Sequence, residues 1–95
     1  MPFLRLIFNL EAIRKLAERG LSADDVADVF RATPVVTVPN PNPRADHSLL
    51  AIGPTRDGRF VTVVVEQDHD DHGRWHVRTA WQSTAAQIAL YRKAR

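Results

Sequence analysis

Between Arg59 and Glu66 the chain reads Arg-Phe-Val-Thr-Val-Val-Val-Glu, and this β-branched run constrains the fold more than any other stretch. β-branched side chains are stiff at the first torsion and pack well on a pleated surface. At a period of two, Val61, Val63 and Val65 fall on one side, and Val64 is apolar on the other. A strand that is apolar on both sides needs cover on both, so the segment reads as a central strand.

Its neighbours are legible from turns. Ser48 to Gly53 reads as a strand, and Thr55-Arg56-Asp57-Gly58 as a hairpin turn with Asp-Gly in the favoured place. Gln67 to Gly73 is a longer polar hairpin loop. Arg74 to Gln82 then alternates, with Trp75, Val77, Thr79 and Trp81 on one face and Arg74, His76, Arg78 and Ala80 on the other. Val77 between the tryptophans marks that face as core, with Trp81, near the strand end, partly exposed as an RNA or partner contact.

The first third has helical spacing. Phe3 to Phe8 is a short strand or extended lead-in, Asn9 is an N-cap, and Phe8 with Ile13 fits a hydrophobic staple. Leu10, Ile13, Leu16 and Ala17 form one apolar stripe, which Gly20 ends. Leu21 and Val26 staple a second helix around Ser22, with Asp24 and Asp25 in its first turn and Val26, Val29 and Phe30 on its apolar face. Thr33-Pro34 ends that helix, Val35 to Val38 is strand-like, and the prolines at 39, 41 and 43 make a loop. Thr84 with Gln87 predicts a capping box opening a last helix that runs to about Arg92. The expected fold is α+β: two N-terminal helices packed on a three- or four-stranded antiparallel sheet, with a C-terminal helix and all helices gathered to one side.

The 95 residues suit one domain spanning 1–95, whose size favours a groove or open face over an enclosed site. Apolar residues at 44% and charged residues at 25% are globular values, which excludes a disordered chain. The absence of cysteine excludes a disulfide scaffold and a thiolate zinc site and fits a cytoplasmic location. No apolar run approaches the roughly 18–20 residues of a membrane span, and the opening Met-Pro-Phe-Leu-Arg-Leu-Ile-Phe reads as part of the fold, not a leader. Every acidic residue lies at or before Asp71, whereas Arg74, Arg78, Arg92, Lys93 and Arg95 follow it. Such a one-sign segment points to acidic partners, RNA or an acidic protein surface.

The segments Phe8-Asn9-Leu10-Glu11 through Arg19-Gly20-Leu21-Ser22, Asp25-Val26 through Val29-Phe30, Ile52-Gly53 through Asp57-Gly58-Arg59, Gly73-Arg74 through Thr84, and Tyr91-Arg92 follow one another in an order that resembles the BrnT-like toxins of bacterial toxin–antitoxin pairs. That resemblance covers nearly the whole chain apart from the Pro-Asn loop. It implies the compact fold of the RelE ribonuclease toxins and an endoribonuclease, free or ribosome-linked, silenced by a cognate antitoxin that also binds DNA. Two positions depart from the family pattern: Trp81 and Pro54 stand where arginines are expected. These departures open a second reading, a toxin-fold binding module that acts through protein–protein contacts without catalysis.

Metal-independent RNA cleavage needs a base for the ribose 2′-hydroxyl, cations for the phosphate and an acid for the leaving oxygen. His76 and Arg78 share one strand face about 6–7 Å apart, spaced as a base beside a phosphate clamp, and His47 follows the proline loop. These three are the catalytic candidates. Arg56, Arg74, Trp81, Tyr91 and Arg92 are the RNA-binding candidates. His69-Asp70-Asp71-His72 reads as a solvated turn, because four consecutive residues do not converge on one ion. No metal or cofactor is expected. The expected partners are RNA, ribosome-associated mRNA included, and an antitoxin, with a homodimer through a strand edge or the tryptophan face as a further option.

Overall fold

The computed structural model describes residues 5–31, 35–41 and 48–94. Along the chain these form β1 (Arg5–Phe8), α1 (Leu10–Glu18), α2 (Ala23–Arg31), β2 (Val36–Pro39), β3 (Ser48–Pro54), β4 (Phe60–Gln67), β5 (Arg74–Gln82) and α3 (Ala85–Ala94). The β-branched run is the middle strand of a five-stranded sheet in the order β1-β5-β4-β3-β2. Strands β2 to β5 pair antiparallel, and β1 runs parallel to β5. The fold is α+β, but the sheet is mixed and larger than the three or four antiparallel strands expected. Leu6 and Phe8 of the lead-in sit beside Trp75 and Val77 in register, and four residues are too few for their alternation to stand out in the sequence.

On one face, Val61, Val63 and Val65 are fully buried with Ala51, Trp75, Val77 and Ala80 under Leu16, Leu21, Val26, Val29 and Phe30. Burying a valine fully contributes about 1.5–3 kcal/mol. Helix α2 lies close on β3 because Gly53 has no side chain: a Cβ there would meet Val29 Cγ1 at 3.3 Å and its carbonyl oxygen at 3.4 Å. Ion pairs hold α2 to the β3–β4 turn, Arg59 with Asp25 at 3.1 Å and Arg56 with Asp28 at 3.3 Å. Ser22 and Asp25 cap the start of α2 reciprocally, at 3.0 and 3.3 Å.

The other face is covered too. Val36, Leu50, Ile52 and Thr62 are buried on it, and α3 lies across it, so the helices are not gathered to one side as expected. The apolar second face of β3 and β4 requires that cover. The Thr84–Gln87 capping box forms as expected, with Thr84 N–H donating to Gln87 Oε1 at 2.9 Å and Gln87 N–H to Thr84 Oγ1 at 3.2 Å. Phe60 meets Tyr91 edge to face at 5.3 Å. Among the described residues no helix is long and apolar enough to cross a membrane.

Two further details correct the sequence reading. In α1, Asn9 accepts from Ala12 N–H at 2.8 Å as an N-cap should, but the buried stripe is Ala12 and Leu16. Leu10 is 85% exposed and Ile13 47%, because β1 at one end and buried Leu21 at the other set the rotation of the helix. In β5, Val64 pairs with Thr79 and Val65 with Val77, so Arg78 is an extra residue, a β-bulge. The bulge reverses the alternation beyond it. Ala80 enters the core with Trp75 and Val77, and Thr79 and Trp81 move to the face of His76, not the core face expected of them.

Candidate functional site

The bulge assembles the site. Glu66 and Asp68 follow each other at the strand period along β4 and its exit, and His76 and Arg78 do the same on β5. Each acid takes a base across the strand pair: His76 Nε2 lies 2.8 Å from Asp68 Oδ1, and Arg78 Nε donates to Glu66 Oε1 at 2.5 Å. Glu66 also stands directly opposite His76 in register, which places their Cβ atoms about 4.5–5.5 Å apart. The four side chains form two stacked acid–base pairs on the face that carries α3.

Their environments differ. The Asp68 carboxyl is held down at about 2, first by its hydrogen bond to His76 and then by the amides of Asp70 and Asp71, each at 3.0 Å. That carboxylate fixes the His76 ring and leaves Nδ1 without a hydrogen bond among the described residues. The Glu66 side chain is 10% exposed, against 49% for Arg78, whose terminal nitrogens make no hydrogen bond among the described residues.

Beside these pairs a trough of about 820 Å³ opens between α1 and the sheet. This lies within the roughly 300–1,000 Å³ range of ligand sites. Val64 and Glu66 line it from β4, Arg78, Thr79 and Trp81 from β5, and Glu11, Lys15, Glu18 and Arg19 from α1. Arg19 ties the end of α1 to β5 through the Thr79 hydroxyl and the Ala80 carbonyl oxygen. The lining therefore carries three carboxylates and three cations. His76 is not part of it and sits beside it, across from Glu66.

The expected site residues divide. His76, Arg78 and Trp81 come to one face, with Trp81 half-buried and its Nε1 donating to Gln87 Oε1 at 3.1 Å. Arg74 joins them one strand period before His76, its Nη2 4.0 Å from Asp71. Arg56 is elsewhere, committed to Asp28 at the β3–β4 turn through both its backbone N–H and its guanidinium. Tyr91 and Arg92 gather at Phe60, where the Arg92 guanidinium stands 5.8 Å from the ring centre. That is six residues along β4 from Glu66, about 20 Å. His47 lies outside the described residues. The His69–His72 stretch is a turn knit by Asp68 and Asp71 to backbone amides. Among the described residues no three His, Cys, Asp or Glu side chains gather as a metal site would require.

Glu66, Asp68, Lys15 and Arg19 escaped the sequence reading. A signal existed for two of them: acids at 66 and 68, bases at 76 and 78, and a hairpin loop between that folds one pair onto the other. No protein-family model and no curated protein matches the chain.

Proposed function

We propose that the chain is a BrnT-like toxin of a bacterial toxin–antitoxin pair, a metal-independent endoribonuclease neutralised by a cognate antitoxin. One observation carries the reading: a histidine buttressed by a carboxylate, Asp68–His76, stands on an open face beside Arg78, whose terminal nitrogens make no hydrogen bond among the described residues. In such a site His76 transfers a proton and Arg78 stabilises the charge of the crowded phosphate. The element order, two helices ahead of the antiparallel strands β2–β5 and a helix after them, supports the reading, while β1 makes the sheet mixed and α3 covers its other face.

Growth on expression tests the proposal in cells. The wild type arrests growth, His76→Ala and Arg78→Ala do not, and the partner gene's product restores growth to the wild type. Free growth at high expression, with cellular RNA intact, overturns it.

A second reading, the non-catalytic binding module, is favoured by two observations. The trough's cations are matched by Glu11, Glu18 and Glu66, and α1 presents Leu10 and Ile13 to solvent. It requires a stable complex with a partner protein and intact RNA in the same cells.

A further inference from the structure

We infer that the chain pairs with a second copy of itself, β1 against β1, antiparallel about a two-fold axis at Ile7. The pairing does not depend on catalysis. The two outer strands of the sheet, β1 and β2, end it differently. On β2, Asn40 N–H donates inward to the Ser48 carbonyl oxygen at 3.2 Å, so by alternation Thr37 and Pro39 face outward. Pro39 has no N–H, and a proline so placed blunts an edge. On β1, Arg5 N–H donates inward to the Gly73 carbonyl oxygen at 2.9 Å. Ile7 therefore turns its backbone groups inward as well, and Leu6 and Phe8 turn theirs outward. These outward groups make no hydrogen bond among the described residues, and no proline stands among them. An edge of this kind is a template for another strand.

The strand that fits is β1 itself. Antiparallel pairing of Leu6 with Phe8 of the second copy lets the two residues exchange both of their N–H to carbonyl bonds, and the two-fold axis repeats the exchange between Phe8 and Leu6. Ile7 then faces Ile7 of the second copy at the non-hydrogen-bonded position, where side chains stand closest. Leu6, Ile7 and Phe8 are apolar and half-buried, and each meets a residue of the same kind. Arg5 stands opposite Asn9, so no like charges oppose one another across the join. Each α1 begins opposite the Arg5 end of the other β1, which brings Leu10, 85% exposed, and Ile13, 47% exposed, to the join.

A two-fold axis between antiparallel strands stands upright on the sheet, so both copies turn the same face the same way. Ile7 lies beside His76 in register. The row His76, Ile7, Ile7, His76 across the join spans three strand spacings, about 14–15 Å, and sets the two histidines on one continuous face.

Sedimentation equilibrium of the purified chain across the micromolar range is expected to give about twice the 10.7 kDa of one copy. Leu6→Pro removes an outward N–H and leaves the bonds from β1 to β5 intact, so it is expected to halve that mass with the circular dichroism of the wild type retained. Ile7→Asp and Ile7→Lys each place like charges opposite one another, and each is expected to run as a monomer. Mixed, the two are expected to regain the double mass as a one-to-one pair, because opposite charges then meet at the axis. The mixture decides the case if Leu6→Pro does not fold. A wild type that stays at the mass of one copy overturns the pairing, and so does a dimer that survives both Ile7 variants. An Asp–Lys mixture that stays monomeric overturns the register about Ile7. A wild type that stays at the mass of one copy by itself and is held at this edge by a different protein overturns the second copy as the occupant.

Discussion

Arg78, the residue that the bulge leaves without a partner on β4, closes its guanidinium on the Glu66 carboxylate at 2.5 Å. The bulge turns an alternating strand into one that presents His76, Arg78, Thr79 and Trp81 on one face. Bulges that redirect a side chain are common beside functional sites.

Removing the arginine strands the acid. Arg78→Ala leaves Glu66, 10% exposed, without its cation. The cost is about 1–2 kcal/mol, moderated because Arg78 itself is half exposed. Urea unfolding of Arg78→Ala, Glu66→Leu and the double variant measures the coupling. The double variant should be more stable than Arg78→Ala alone. Strictly additive losses would mean that the two residues are not coupled.

Gln87 is the second point of fragility. Its Oε1 accepts from Thr62 Oγ1 at 2.9 Å, Trp81 Nε1 at 3.1 Å and Thr84 N–H at 2.9 Å. Thr62 is fully buried, so Gln87→Ala leaves a hydroxyl dependent on Ser83 alone and frees the indole. About 2–3 kcal/mol of stability should be lost. The indole N–H resonance of Trp81 should shift while that of Trp75 stays. A variant as stable as the wild type would show that α3 is held by its apolar contacts alone.

Acid should loosen the β4–β5 loop. The Asp68 carboxyl is lowered from 3.8 to about 2, chiefly by His76, and that of Asp57 likewise, chiefly by the Thr55 hydroxyl. A carboxyl lowered in the folded state stabilises fully above its unfolded value and loses that contribution as pH falls through the folded one. Stability should therefore decline between pH about 4 and 2. Denaturation midpoints across that range should fall less steeply for Asp68→Asn, and least for Asp57→Asn with Asp68→Asn. Parallel curves for all three proteins would contradict this origin of the decline.

Much of the fold was legible because its signals are local. The valines of β4, Asp57-Gly58, the positive φ of Gly20 and the Thr84–Gln87 box each act within a few residues. What escaped is set at a distance. The parallel pairing of β1 depends on Trp75 and Val77, about seventy positions away, and the rotation of α1 depends on both of its neighbours. The bulge at Arg78 breaks an alternation that is unbroken in the sequence, and only the small apolar Ala80 in the polar register hinted at it. The site was half legible for the same reason: His76 and Arg78 stand out by type and spacing, whereas Glu66 and Asp68 acquire meaning only when the hairpin brings them across.

The most direct measurement is cleavage of RNA by the purified protein, free and on ribosomes, in a chelating buffer, with His76→Ala and Arg78→Ala alongside. Products ending in a 2′,3′-cyclic phosphate from the wild type, reduced about 100-fold or more in each variant, are the expected result. Intact RNA, or equal cleavage by the wild type and His76→Ala, would contradict a ribonuclease built on the face of His76 and Arg78.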